Sequence, residues 1–117
     1  MVLYMPNARI IKKWWEKLKV LLINPSNLAV YGKPMVPYPP LGMLYVAAVL
    51  EKEHKVALYD YDIDILTNKR LKQVISSENP DVVGLTANTV SIKSAREIAS
   101  AVKEHDKSVP VMIGGIH

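Results

Sequence analysis

The feature of this 117-residue chain that most constrains its fold is a regular alternation of short apolar runs with longer segments of helical spacing. The run Val20–Ile23 has the length and continuous apolar character of a strand covered on both faces. The predicted strands are Lys19–Asn24, Val56–Tyr61, Asp81–Thr86 and Val109–Ile113. The predicted helices lie at Leu41–Glu53, at Leu66–Ser77 and over the stripe from Ile92 to Val102. The order β-α-β-α-β-α-β predicts an α/β fold with a parallel, doubly wound sheet.

We expect a flavodoxin-like (Rossmann-like) sheet of about four strands, in which the first strand lies beside the second and third. The fifth strand and last helix that usually complete this fold have no counterpart before His117. An uncovered fourth strand is an edge that can pair with another chain. We therefore expect a fragment of a longer polypeptide or a part that needs a partner, with a homo-oligomer through the fourth strand as one option.

Residues 1–18 form a distinct leader ahead of the α/β domain, which covers residues 19–117. Their apolar residues fall on one helical face: Ile10, Ile11, Trp14, Trp15 and Leu18. This pattern predicts a basic amphipathic helix that packs on its own domain or on a partner, with membrane contact as the alternative. The net charge of +4 comes from residues 1–20, the leader together with Lys19, because acidic and basic residues balance in the rest of the chain. That placement argues against nucleic-acid binding.

The composition excludes several kinds of site. The chain has no cysteine, which rules out disulfides, thiolate zinc sites and iron–sulfur ligation by this sequence. There is no apolar run of about 18 residues and no signal peptide, so a cytoplasmic location is expected. No combination of residues predicts a catalytic triad or a metal site. The histidines are interpreted as solvated or capping residues: His54, His105 and His117.

Three segments follow predicted strands, at the edge where ligands bind in open parallel sheets. The loop Asn24–Pro40 contains five of the eight prolines and is either ligand-facing or a disordered surface loop. Thr86–Thr89 offers small donors to a ligand, although Thr89 or Ser91 could instead cap the next helix. Gly114-Gly115 permits close backbone approach or forms an ordinary turn.

Other candidate motifs are missing or incomplete. No Gly-x-Gly-x-x-Gly or other phosphate loop follows the first strand. Asp60, Asp62 and Asp64 alternate as metal ligands can, but the glycine and terminal glutamate of a calcium loop are absent. We interpret them as the polar end of the second strand.

Four ordered strings carry a family resemblance over roughly residues 19–117. They are Lys19-Val-Leu-Leu-Ile-Asn-Pro, Tyr38-Pro-Pro-Leu-Gly-Met-Leu-Tyr-Val-Ala-Ala-Val-Leu-Glu-Lys, Pro80-Asp-Val-Val-Gly-Leu-Thr-Ala-Asn-Thr and Val109-Pro-Val-Met-Ile-Gly-Gly-Ile-His. Together they resemble the N-terminal cobalamin-binding domain of radical-SAM enzymes, a group that includes the anaerobic magnesium-protoporphyrin ester cyclase and cobalamin-dependent methylases.

The resemblance implies that cobalamin lies over the carboxyl ends of the strands, with its nucleotide tail beside the sheet. The residues that would face the corrin are Asn24, Pro25 and Ser26. Those that would contact the tail or let it pass are Thr86, Ala87, Asn88, Thr89, Gly114, Gly115 and Ile116. The Asp-x-His-x-x-Gly loop of cobalamin mutases is absent, so no protein histidine is expected below the cobalt. Glu51-Lys-Glu-His54 also lacks the family's usual glycine, which predicts a shorter turn.

The function that the resemblance implies is a cofactor module, without catalytic residues of its own, that presents base-off cobalamin to a radical-SAM domain of methyltransferase or cyclase type. S-adenosylmethionine and a 4Fe-4S cluster would belong to that absent partner. The alternative is a non-catalytic interaction domain or a degenerate remnant that associates through its open edge and its Trp-bearing helix. A nucleotide- or sugar-binding fragment is a third possibility, which the missing phosphate loops disfavour.

Overall fold

The computed structural model describes residues 2–3, 12–13, 16–25, 39–61 and 67–115. In chain order the elements are β1 (Val2–Leu3), β2 (Lys12–Lys13), β3 (Lys19–Asn24), α1 (Leu41–Leu50), β4 (Lys55–Asp60), α2 (Asn68–Glu78), β5 (Val82–Thr86), α3 (Ile92–His105) and β6 (Val111–Gly114). Strands β3 to β6 form one parallel sheet in the order β4-β3-β5-β6. The predicted α/β fold with flavodoxin-like strand order is confirmed.

The two faces of this sheet are covered unequally. Successive side chains of a strand point to opposite faces. Helices α2 and α3 cover one face and bury a large apolar cluster there, with Leu21 and Ile23 of β3 at its centre. Helix α1 covers the other face over β3 and β4. The smaller cluster on that side consists of the buried residues Val20, Leu22 and Ala47.

A network of polar side chains joins the amino ends of the strands, which we call the amino edge. Asp81 Oδ2 accepts a hydrogen bond from the backbone N–H of Lys19 at 2.8 Å. Lys19 Nζ forms an ion pair with Glu78 Oε2 at 2.7 Å, and Tyr59 Oη donates to Glu78 Oε1 at 2.8 Å. The hydrogen bond from Lys19, and then that from Tyr59, lowers the pKa of Glu78. Donating a hydrogen bond to Glu78 raises the pKa of Tyr59. These contacts fix the end of α2 against β3 and β4.

Within the leader, the segments that the structure describes as strands do not form the predicted helix. Val2–Leu3 pairs antiparallel with Lys12–Lys13, so the latter segment is a strand. A short amphipathic helix has little stability in water unless a surface buries its apolar face, and strand pairing satisfies the backbone instead. The other leader residues up to residue 15 lie outside the described residues. In the described part of the chain, no helix is both long and apolar enough to cross a membrane.

Candidate cofactor-binding site

A row of small and polar residues crosses the sheet where the four strands end, at the carboxyl edge. Asn24 is paired in register with Asp60, and Thr86 with Gly114. Continuing the register of β3 with β5 by one residue places Asn24 beside Thr86. Because Val20 and Leu22 face α1, alternation along β3 turns the whole row toward the α1 side. In the strand order β4-β3-β5-β6, the row crosses the boundary between β3 and β5, where the order of the strands reverses. Open α/β sheets bind ligands at this position.

A pocket of about 280 Å³ opens above this row. It is lined by Asn24, Pro40, Leu41, Gly42, Met43, Thr86, Ala87, Asn88, Ser91 and Gly115. Half of these were predicted as site residues from the sequence: Asn24, Thr86, Ala87, Asn88 and Gly115. None of the lining side chains is charged, and amide and hydroxyl groups supply its polarity. The size lies at the lower limit for small-molecule sites, so the pocket suits one part of a large ligand.

The loop after β5 is held by reciprocal hydrogen bonds between Asn88 and Ser91. Asn88 Oδ1 accepts from the backbone N–H groups of Val90 and Ser91, both at 2.9 Å, and Ser91 Oγ accepts from the N–H of Asn88 at 3.1 Å. These bonds stabilise the turn that precedes α3. Since the amide oxygen is engaged, Asn88 can offer a ligand only its amide nitrogen. The N-cap residue of α3, Ser91, makes no side-chain capping bond, so the alternative of capping by Ser91 is wrong. Contact of this loop with a ligand stays a prediction.

Gly115 is required by the geometry of the site. Its φ of +117° falls in the region that L side chains rarely adopt. A Cβ there would also collide with the backbone carbonyl oxygen of Ala87, and would lie 3.0 Å from the Ala87 nitrogen. The backbone hydrogen bond from Ala87 N–H to the Gly114 oxygen, 2.8 Å long, holds the two loops together. The Gly-Gly turn thus closes one wall of the pocket by direct backbone packing.

Sequence reasoning missed the wall formed by the start of α1. Gly42 and Met43 line the pocket, and α1 begins after Pro40 without a side-chain cap. The uncapped N-terminal turn presents the positive end of the helix dipole to the pocket. A signal for this wall was present, because a helix that follows a parallel strand begins at the carboxyl edge. Asp60 was likewise interpreted only as a polar strand end.

The α1 side of β5 and β6 continues the pocket down the sheet. Its residues are Val82, Gly84 and Thr86 of β5 with Met112 and Gly114 of β6, which we call the β5–β6 surface. Val82 packs at the edge of the cluster under α1, whereas Met112 is 68% exposed and Gly114 is exposed. A Cβ built on Gly114 would meet no atom within 4 Å, whereas one on Gly84 would lie 2.7 Å from Leu22 Cδ2. The surface is thus open, shallow and free of charge.

The remaining predicted site residues are distributed differently. Pro25 is buried, so its ring supports the carboxyl edge from within. Thr89 is exposed and does not line the pocket. Gly114 lies beside the pocket on the β5–β6 surface. Ser26 and Ile116 lie outside the described residues, as do Asp62, Asp64 and His117.

Both described histidines belong to the opposite edge of the sheet. His54 Nδ1 accepts a hydrogen bond from the backbone N–H of Leu18, 3.2 Å away, beside the start of β3. His105 is the last residue of α3, which runs back from the carboxyl edge. Neither imidazole can reach a ligand over Asn24 or Thr86. Among the described residues no group of three or more His, Asp or Glu side chains is arranged to hold a metal ion.

Comparison with known proteins identifies the family. A family model for the B12 binding domain matches residues 28–117, most of the chain and nearly all of the pocket. The chain belongs to the B12-binding domain family. The resemblance deduced from the four sequence strings is thereby confirmed, and the cofactor that defines this family is cobalamin. No cysteine is present to ligate an iron–sulfur cluster in this chain.

Two relatives are much longer than this B12-binding domain. The uncharacterized methyltransferase PH0819 of Pyrococcus horikoshii is 33% identical over 101 residues, which are 86% of this chain and 22% of that protein. The anaerobic magnesium-protoporphyrin IX monomethyl ester cyclase of Rubrivivax gelatinosus is 28% identical over 102 residues, or 86% of this chain and 18% of that enzyme. The chain spans about a fifth of the length of these relatives.

Solved structures support the same fold. The cobalamin-dependent S-adenosylmethionine radical enzyme OxsB, with aqua-cobalamin and S-adenosylmethionine bound, matches with a TM-score of 0.64 at 23% identity. The match covers 86% of this chain and 14% of the OxsB chain. The structure of OxsB with aqua-cobalamin alone gives a TM-score of 0.62. At this identity the likeness establishes the fold.

The described residues fit a corrinoid by shape and polarity. Cobalamin combines a broad ring fringed with amides and a nucleotide tail. The pocket supplies uncharged amide and hydroxyl groups from Asn24, Thr86 and Asn88, which suit such amides. Gly115 brings the backbone close where a side chain would block approach, and the β5–β6 surface leaves room for an elongated group.

Proposed function

We propose that this chain binds cobalamin in its base-off form and presents it to a radical-SAM catalytic domain. The corrin would lie over the carboxyl edge, above Asn24 and the start of α1. The nucleotide tail would extend along the β5–β6 surface. When bound, the cobalt would supply methyl transfer or tune a radical step, while this chain supplies position.

The observation that carries the proposal is the continuity of the pocket with the β5–β6 surface. Thr86 belongs to both, and Gly114 joins them at the end of β6. A pocket of about 280 Å³ alone would hold only a small group, but the open surface extends it along the sheet. A ligand that consists only of a small group would not need the β5–β6 surface. A ligand with a ring and a long tail uses both.

The residues of the site would bind the cofactor through complementary hydrogen bonds. The Thr86 hydroxyl donates or accepts as required, so it suits either the amides of the corrin or the phosphate of the tail. Gly114 and Gly115 let the tail run against the backbone. No described histidine lies at this edge, so amide, hydroxyl and backbone groups, and not an imidazole, would hold cobalamin there.

The direct test is titration of the purified chain with hydroxocobalamin and methylcobalamin, followed by absorbance spectroscopy and gel filtration. We expect cobalamin to co-elute with the chain and to show a base-off spectrum. Gly114→Leu should weaken binding by about tenfold or more, since a leucine would occupy the β5–β6 surface without a clash in the free protein. Ser76→Leu, on the exposed side of α2, is the matched control and should bind normally. No co-elution with a folded chain at high micromolar concentration would overturn the proposal.

The outer surface of α1 supports association with a partner domain. The helix contains no charged residue, and Tyr45 and Val49 are 75% and 64% exposed. A helix that is apolar all round is normally buried. We assign this surface to the radical-SAM domain because its N-terminal end adjoins the pocket at Met43. Val49→Lys should then leave cobalamin binding unchanged and abolish association with a radical-SAM domain added in trans.

A second candidate function is association without a cofactor. Met112 and Ile113 on the edge strand β6 are exposed together with the outer surface of α1, and exposed edges favour pairing. Sedimentation at two concentrations, with and without hydroxocobalamin, separates the candidates. Oligomers that grow with concentration and ignore hydroxocobalamin would favour the second.

A further inference from the structure

Asp60 and Asn24 form a hydrogen-bonded pair behind the pocket. The two residues are directly opposite in the register of β3 and β4, and both belong to the row on the α1 side. Asn24 Nδ2 donates to Asp60 Oδ1 at 2.9 Å in a partly buried position. Asn24 lines the pocket, whereas Asp60 lies beyond it on the neighbouring strand. The carboxylate thus contacts the pocket through the amide of Asn24.

The pair fixes which end of the amide faces the pocket. β4 and β5 flank β3 on opposite sides, so Asp60 and Thr86 lie on opposite sides of Asn24. With the amide nitrogen bonded to Asp60, the amide oxygen of Asn24 is left to accept a hydrogen bond from a ligand in the pocket. The reverse orientation would bring two acceptor oxygens together, because a carboxylate has no proton to donate. Asn24 therefore presents an acceptor.

An acceptor backed by a carboxylate selects for donors. Among the described residues that line the pocket no side chain is charged, and the Asp60 carboxylate bonded to Asn24 makes the potential around that amide more negative. The N-terminal turn of α1 favours negative charge, but that effect falls off within its first turn. A primary amide meets the Asn24 oxygen with N–H. A carboxylate at the same point would face one oxygen with another, with a negative charge behind it.

We infer that Asp60 is a positioning residue that holds Asn24 as an acceptor for a primary amide on the corrin rim, so that the site prefers amidated corrinoids to those with free carboxylates. The inference rests on the proposed function and deepens it. It gives Asp60, which lines no part of the pocket, a role in choosing the ligand. The effect is electrostatic and directional, and no proton or electron is transferred.

The test compares two corrinoids that both lack the nucleotide tail: cobinamide, whose rim is amidated, and cobyrinic acid, whose rim carries carboxylates. Equilibrium dialysis of the full chain gives the ratio of their dissociation constants. We expect the unmodified chain to bind cobinamide about tenfold or more tightly than cobyrinic acid. A factor of this size corresponds to the free energy of one hydrogen bond. Asp60→Asn can let the Asn24 amide reverse and should reduce that ratio severalfold. Asn24→Ala should reduce it similarly.

Asp81→Asn is the matched control. Asp81 also accepts a hydrogen bond across strands, but at the amino edge, so its loss should affect stability and leave the ratio unchanged. Two results would overturn the inference without affecting the proposal that the chain binds cobalamin. One is equal affinity of the unmodified chain for the two corrinoids, and the other is a ratio that Asn24→Ala leaves unchanged. Failure of the unmodified chain to bind any corrinoid would overturn the proposed function and the inference with it. If Asp60→Asn does not fold, Asn24→Ala carries the test, because it removes the acceptor that Asp60 positions.

Discussion

The two faces of the sheet differ in how completely this chain covers them. On the face under α2 and α3 the apolar side chains are buried, and the outer surfaces of both helices carry lysine, arginine, glutamate and serine. On the other face α1 covers β3 and β4 alone in the described structure, and its own outer surface is apolar. One face thus holds most of the buried apolar core, while the other leaves apolar surface exposed. The following predictions test that division.

The largest effect is expected from removing buried volume beneath α3. Ile98 is 1% exposed within the large cluster, and Ile98→Ala should lower the free energy of unfolding by about 2–5 kcal/mol. Val49→Ala on the outer surface of α1 should change it by less than about 0.5 kcal/mol. Urea denaturation followed by circular dichroism measures both. Similar losses for the two variants would mean that the faces are not divided as described.

The Gly-Gly turn offers a more specific test, because Gly115 packs against backbone whereas Gly114 faces open space. Gly115→Ala should cost roughly 1–3 kcal/mol, since the residue has a positive φ and packs on the Ala87 backbone. Gly114→Ala enters open space and should be within about 0.5 kcal/mol of the unmodified chain. Thermal unfolding of the two variants side by side gives the difference. Equal stability would contradict the backbone packing that closes the pocket.

A smaller effect is expected at the amino edge, where Glu78 ties α2 to the sheet. Its pKa is lowered in the folded chain by the bonds from Lys19 and Tyr59. The ion pair therefore contributes stability above the carboxyl's unfolded pKa and loses it as the pH falls through the lower folded value. Glu78→Gln should cost about 0.5–1 kcal/mol at neutral pH. The gap to the unmodified chain should narrow as unfolding is measured at progressively more acidic pH; a gap that widens would refute this assignment.

Much of the covered face could be predicted from the sequence. The apolar run from Val20 to Ile23 and the stripe beginning at Ile92 each indicate one type of element, and the structure has them as β3 and α3. The chain order then gives a parallel sheet, since right-handed crossovers leave few alternatives. The predicted fourth strand began at Val109, two residues early, because Pro110 has no N–H to donate to a ladder.

The site was predictable only in part. Thr86 and Gly115 were identified because residues that follow parallel strands gather at one edge. The pairing of Asn24 with Asp60 could not be deduced, because it depends on which residues stand opposite one another. The Asn24–Asp60 bond follows from the register of β3 with β4, and a sequence pattern does not specify register. The exposed apolar surface of α1 was missed for a related reason: its composition suggests burial, and only the fold shows that most of it faces outward.

An amide NMR titration of the 13.1 kDa chain with hydroxocobalamin tests whether cobalamin binds on the α1 side at the carboxyl edge. We expect the largest shift changes at Asn24, Gly42, Gly84 and Gly114, and unchanged signals at Ser76 and Ser100 on the outer surfaces of α2 and α3. Shifts concentrated on α2 and α3, or none anywhere at saturating hydroxocobalamin, would contradict it.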